Sequence, residues 1–253
     1  VATWKLVLEY EGTDFSGWQV QPEARTVQGE LNRALSTVLR REVRVQGAGR
    51  TDAGVHALGQ VASLTAPEDL KRVLSSVNAV LPDDVVVRSA ARVPESFHAR
   101  RSAVRRHYRY RLHQGPTALE RRTCLVLRHP PDLDGMARAA SLLPGQRDFA
   151  SFAVEPEPAE STECRLERVD VAADGSFLYV DVIANRFLRK MVRTLVGTLL
   201  EIGWGKRAPE WIDEVLESRD RSAAGPTVSP RGLVLLSVEY PDALSPEGEV
   251  GKR

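Results

Sequence analysis

Two periods of hydrophobicity, alternating along the chain in a repeating order, constrain this sequence more than any other feature. Thr3 to Tyr10 alternates apolar and polar residues, as a half-buried strand does. Val27, Leu31, Leu35, Val38 and Leu39 then recur at helical spacing. Val43 to Gln46 and Gly59 to Leu64 read as strands, Leu70 to Val80 as a helix ended before Pro82, and Val85 to Ala90 as a closing strand. That βαββαβ order is the split-βαβ, ferredoxin-like arrangement. A blurred copy follows: a strand over Val104–Leu112, a helix over Gly135–Leu143, and a hairpin of Leu166–Ala173 with Phe177–Ala184. A helix over Leu188–Ile202, with Gly203 as its C-cap, and a strand over Leu233–Tyr240 complete it. The expected fold is therefore α+β: two ferredoxin-like/RRM-like halves joined through a central antiparallel sheet, with a cleft between them. The halves are expected at residues 1–100 and 101–245, with a frayed tail over 246–253. The acidic, proline-containing EPEPAESTE segment, residues 155 to 163, reads as a surface loop.

Composition excludes several classes. With 42% hydrophobic and 27% charged residues, the chain has an ordinary globular composition. Its apolar runs fall short of the roughly 18 residues of a membrane span. The N-terminus enters a strand pattern directly rather than a secretory signal, so a cytoplasmic protein without a membrane partner is expected. Cys124 and Cys164 are isolated, which argues against a disulfide frame or a zinc cluster. The net charge of +1 is uninformative, but 30 of the 35 basic residues are arginine. Arginine's planar fork suits phosphates and nucleobases.

The segment GAGRTDAGVHALG, residues 47 to 59, places Asp52 beside Arg50 in a glycine-rich loop. It fails as a phosphate cradle. The dinucleotide fingerprint would put a third glycine where Asp52 stands, and a carboxylate there repels a pyrophosphate. The P-loop spacing from Gly49 to Gly54 is followed by Val55 and His56 instead of lysine and a hydroxyl residue. Asp52 and His56 make a poor metal site, since no third ligand is near them in sequence. What remains is one aspartate presented on small residues, which let the backbone approach a ligand closely. A turn aspartate capping its own backbone is the plain alternative.

Two basic stretches bear on the choice. FHARRSAVRRHYRYRLH, residues 97 to 113, holds six arginines between Arg100 and Arg111. Strand alternation puts Arg106, Tyr108, Tyr110 and Leu112 on one face and Arg105, His107, Arg109 and Arg111 on the other, a cationic face suited to a nucleic-acid backbone. NRFLRKMVRTLVG, residues 185 to 197, carries an apolar stripe opposite Arg186, Lys190 and Arg193. In a helix the pairs Arg189–Arg193 and Lys190–Arg193 repel by about 0.2–0.5 kcal/mol each. Cations in a first turn also oppose the helix dipole. An anion, whether phosphate or Asp52, would compensate.

Taken together, YEGTDFSGWQVQP (10 to 22), GAGRTDAGVHALGQV (47 to 61), FHARRSAVRRHYRY (97 to 110) and NRFLRKMVRTLVG resemble, in order, the motifs of the tRNA pseudouridine synthase A family. The resemblance runs from about Lys5 to Tyr240. It implies that Asp52 is the catalytic nucleophile, that Tyr108 touches the target base and that Arg193 is the basic partner of the aspartate. It implies that Arg50 assists RNA binding or base displacement. It further implies action on uridines 38 to 40 of the tRNA anticodon stem-loop, no cofactor, and a homodimer. Arg100, Arg106, Arg186 and Lys190 are the further expected substrate contacts, and no metal is expected. Glu11, His107 and TVSPRGLVL (227 to 235) depart from the family's usual residues.

The chemistry agrees with so sparse a residue set. Forming pseudouridine breaks the N1–C1′ bond, turns the uracil and forms a C5–C1′ bond, with no net change in atoms. One anion that stabilises positive charge at the sugar suffices. Attack at C1′, attack at C6 and elimination at C2′ all remain open. A non-catalytic RNA-binding protein would use the same basic surfaces, and a nucleotide-dependent enzyme is disfavoured by the failed phosphate motifs.

Overall fold

The computed structural model describes residues 1–154 and 161–244. Most of the EPEPAESTE segment and the tail expected over 246–253 lie outside the described residues. The protein is mixed α/β, with five α-helices and mostly antiparallel strands among the described residues. It divides into two compact units, Val1–Val104 with Leu235–Arg253, and Arg105–Val234.

The first unit contains β1 (Ala2–Tyr10), α1 (Val27–Leu39), β2 (Gln46–Gly47), β3 (His56–Ala66), α2 (Leu70–Val80), β4 (Val85–Val93) and most of β10 (Leu233–Glu239). Strand order is β4-β1-β3-β10, with β2 also on β3. β1 runs antiparallel to β3, with Trp4 opposite Leu64 and Tyr10 opposite Ala57. Its inward set, Trp4, Leu6, Leu8 and Tyr10, is buried together with Leu31 and Leu35 of α1. Thr26 caps α1 by accepting the Gly29 N–H. The strand expected over Val43–Gln46 shrinks to two residues. Side chains of α1 take its backbone groups: Ser36 Oγ accepts from Val43, Asn32 Oδ1 accepts from Val45, and Gln28 Nε2 donates to the Val45 carbonyl. Residues 235–244 group with the first unit. There the Leu236 carbonyl approaches Gly59, Val104 N–H donates to Glu239, and the Tyr240 hydroxyl donates to the Ala99 carbonyl.

The second unit contains β5 (Arg105–Gln114), β6 (Leu125–Leu127), α3 (Leu133–Ser141), β7 (Gly145–Asp148), β8 (Glu163–Asp174), β9 (Phe177–Ala184), α4 (Met191–Gly203) and α5 (Trp211–Ser218). Strand order is β5-β9-β8-β7, with β6 parallel to β5. β8 and β9 form the expected hairpin, turned at Gly175 with φ 57°. Tyr110, Leu112, Leu178, Val180 and Val182 form the buried sheet face, and Met136, Leu195 and Leu199 of the helices are buried with them. β6, β7 and α5 are too short for periodicity to reveal. α4 begins at Met191 instead of Leu188 and includes Gly203; the left-handed glycine after it is Gly205, at φ 70°.

Candidate active site

In the first unit the loop after β2 is held at five of its residues, Ala48, Gly49, Thr51, Asp52 and Val55. The Ala48 N–H donates to the Val61 carbonyl at 2.7 Å, and Gln60 Nε2 donates to the Gly49 carbonyl at 3.1 Å. Trp18 N–H donates to the Thr51 carbonyl at 3.0 Å. Val55 N–H returns to the Asp52 carbonyl at 3.2 Å, closing a turn in which Gly54 takes φ 77°. A positive φ at the third turn position favours glycine. Asp52 is half-buried at the first position of that turn, and Arg50 is exposed.

The opening motif presses against this loop. A Cβ on Gly12 would stand 1.9 Å from the Val55 carbonyl oxygen, so a side chain is excluded there. Gly47 faces the Trp18 indole and Gly59 the Leu236 carbonyl, while Gly49 faces open space. Gly47 and Gly59 thus serve packing and Gly54 the turn, while Gly49 leaves the backbone open to close approach. His56 is buried, and its Nδ1 accepts the Gly12 N–H at 3.0 Å. Glu11 Oε1 lies 3.5 Å from the same nitrogen, but a nitrogen accepting from Gly12 holds no proton to share. His56 thus acts as a neutral joint between the opening motif and the loop.

In the second unit the alternation of β5 holds: Tyr108, Tyr110 and Leu112 are buried. Tyr108 meets Phe187 edge-on at 5.1 Å between ring centroids. The Tyr110 hydroxyl donates to the Ser229 carbonyl at 2.6 Å, and burial pushes its phenol far above the usual range. The opposite face is not the open cationic surface expected. Arg105 pairs with Glu167 at 2.6 Å, Arg111 with Glu120 at 2.9 Å, and Arg109 and His107 with Asp181 at 2.9 and 2.8 Å. Burial would raise the Asp181 carboxyl, but hydrogen bonds from His107 and Arg109 outweigh it and hold the group below the usual carboxylate range. Arg109 stands directly across from Asp181 in the β5–β9 ladder, a pairing that spacing along one strand cannot reveal.

The two basic motifs meet inside this unit. Arg106 Nη1 donates to the Asn185 carbonyl at 2.6 Å, and Tyr108 contacts Phe187; Arg186 lies between those two partners in sequence and is half-buried. Lys190 precedes α4 with φ 60° and ψ 8°, and its side chain makes no capping hydrogen bond. Arg189 and Lys190 are thus outside the helix, so the expected like-charge helical pairs with Arg193 do not form. Arg193, in the first turn, is half-buried and its Nε donates to the Val228 carbonyl at 2.8 Å. Thr194 and Thr227 hydroxyls lie 3.0 Å apart. A Cβ on Gly197 would meet the Pro226 carbonyl oxygen at 1.8 Å, so this segment lies directly on α4. Asp52, Arg50 and Arg100 belong to the first unit; Arg106, Tyr108, Arg186, Lys190 and Arg193 belong to the second. Sequence reasoning missed Tyr10, Trp18 and Gln60 as supports of the Asp52 loop. Their only linear signal is a polar or aromatic residue on an inward strand or motif position.

An acid-bearing loop buttressed by its own unit, together with arginine-rich elements, suits an enzyme acting on RNA. The family described as tRNA pseudouridine synthase matches residues 6–100 and 139–241, and the chain belongs to that family. It is an isomerase acting on tRNA. Among its relatives, tRNA pseudouridine synthase A of Moorella thermoacetica is 45% identical over 242 residues, covering 93% of this chain and 98% of the relative. The same-named proteins of Geotalea uraniireducens and Geobacter sulfurreducens are each 42% identical, covering 93% and 94% of this chain and 98% and 99% of theirs.

Proposed function

We propose that this enzyme converts uridine to pseudouridine at positions 38 to 40 of the tRNA anticodon stem-loop, with Asp52 as its single catalytic carboxylate. The observation that carries this reading is the anchoring of the Asp52 loop: the carbonyls of Gly49, Thr51 and Asp52 are all hydrogen-bonded, while the Asp52 side chain stays half-buried. A backbone so held fixes where a carboxylate can act, and a misplacement of about 1 Å can lower a rate by about 10²-fold. The reaction moves one bond from N1 to C5 and conserves every atom, so it calls for no cofactor. An ionised Asp52 serves equally as the nucleophile at C1′ or C6, or as the base at C2′.

Tyr108 lines the base and keeps water from the detached uracil, and Arg193 supplies the positive charge that favours ionised Asp52. A paired or stacked uridine is extruded at a cost of a few kcal/mol. Arg50 braces the vacated space, while Arg100, Arg106, Arg186 and Lys190 contact phosphates. The pair of α+β halves with a cleft between them, a cytoplasmic setting and a homodimer are parts of the same proposal, supported by the four motifs and their order.

Asp52→Asn keeps the shape of the side chain and removes its charge. Incubated with unmodified tRNA, the variant is expected to lose at least about 10³-fold in pseudouridine formation while tRNA binding persists. Retained isomerisation ends the proposal.

A further inference from the structure

Gln60 is fully buried, yet its amide is aimed at the Asp52 loop. Its Nε2 donates to the Gly49 carbonyl at 3.1 Å and to the Tyr10 hydroxyl at 3.3 Å. The Tyr10 hydroxyl lies 2.8 Å from Thr51 Oγ1, and both residues are buried. A phenol has a single proton to give. Gln60 donates to the phenol oxygen, and between Tyr10 and Thr51 either hydroxyl can be the donor. A continuous run of hydrogen bonds therefore links Gln60 through Tyr10 to Thr51. Burial pushes the Tyr10 phenol up to about 12, so it keeps that proton at neutral pH. Tyr10 is the last residue of β1 and Gln60 lies within β3, so rigid strands carry the relay to the residue beside Asp52.

We propose that Tyr10 and Gln60 are positioning residues for the isomerisation, setting the place of the Asp52 carboxylate through Thr51 and Gly49 without touching RNA. This rests on Asp52 being the catalytic carboxylate. The packing of the strand end needs only the Tyr10 ring, which phenylalanine would supply equally. The hydroxyl adds the link between Gln60 and Thr51, and so fixes the Thr51 side chain. The Thr51 carbonyl is fixed separately by Trp18. With both ends of Thr51 tied, the peptide entering Asp52 has little freedom to rotate.

The test uses the full chain, unmodified tRNA, single-turnover rates, tRNA dissociation constants and thermal unfolding. Tyr10→Phe and Thr51→Val are each expected to slow pseudouridine formation about 10- to 100-fold, with tRNA affinity within about twofold and the protein folded at the assay temperature. Thr51→Ser, which restores the hydroxyl, is expected to recover most of the rate. The double variant Tyr10→Phe/Thr51→Val is expected to be no slower than the slower single variant, since both delete the same bond. A Tyr10→Phe rate within about threefold of the parent overturns the inference, given the sensitivity expected of a misplaced carboxylate. So does affinity falling in step with rate, or Thr51→Ser as slow as Thr51→Val. Asp52→Asn runs in parallel. If it retains turnover, the assignment of Asp52 fails; if it is inactive while Tyr10→Phe is fast, only the positioning role fails.

Discussion

The two long helices of the two units begin in opposite ways. α1 follows the local rules: Thr26 is extended, its hydroxyl accepts the Gly29 N–H, and Glu30 sits in the first turn where the helix dipole favours an anion. α4 breaks them. Its entry residue Lys190 is left-handed and makes no side-chain cap, and Arg193 is a cation in the first turn. A left-handed residue is common just past a helix end, as Arg40 is after α1, but an entry residue is ordinarily extended. The β-side of the second unit teaches the same lesson from the other direction. Arginines of β5 that looked free to meet RNA are engaged with Glu167, Asp181 and Glu120. Charge serves structure on the sheet face, and local disfavour collects at the start of α4. Local rules are most often broken where function needs a group.

That contrast can be broken most directly at Arg193. Arg193→Ala is expected to lower turnover about 10²- to 10³-fold, with tRNA affinity changed far less, and Arg193→Lys to fall between. Normal turnover with weak binding would make α4's entry a plain RNA contact. Next in size is Asp181→Asn, which removes the charge that His107 and Arg109 share. About 2 kcal/mol of stability is expected to go, read by denaturant unfolding, with catalysis in the folded fraction little changed. The sign of its pH dependence follows from the lowered carboxyl. The contribution is present in full above the unfolded carboxylate value, near pH 4, and is lost as pH falls through the lower folded value. Loss of that stability at neutral pH instead would contradict the shift.

The helix entries themselves form a matched pair of smaller effects. Thr26→Ala is expected to cost about 1 kcal/mol of stability without altering single-turnover rates. Lys190→Gly is expected to gain about 0.5 kcal/mol, since relief of the left-handed strain exceeds glycine's entropy cost. The same change should weaken tRNA binding and flatten its salt dependence by about one ion. Lys190→Gly destabilising the protein as Thr26→Ala does would erase the distinction between the two helices.

Much was legible in one dimension. The 3.6-residue spacing from Val27 to Leu39 and from Leu70 to Val80 matches α1 and α2 end to end, and the β8–β9 hairpin follows its Gly175 turn. The alternation of β5 puts Tyr108, Tyr110 and Leu112 on one face, and the fold buries all three. Asp52 stood out because both phosphate motifs that its glycines suggest fail, one at the carboxylate itself and the other at Val55 and His56. The failures share a cause. Val43–Val45 leave the sheet because Ser36, Asn32 and Gln28 of α1 claim their backbone groups. α4 starts late because the chain from Asn185 is drawn to β5 by Arg106 and Tyr108.

Periodicity, turn residues and motif chemistry are local, and the sequence alone determined them: the kinds of elements, the acidic loop, and the family to which its motifs pointed. Folding decided which charges are neutralised, which glycines hold space for a neighbouring backbone, and which side chains hold the Asp52 loop. Arg109 and Asp181 are 72 positions apart, and Tyr10 and Gln60 are 50. Hydrogen bonds and ion pairs act over a few ångströms, so partners this remote along the chain are chosen only when strand register brings them together.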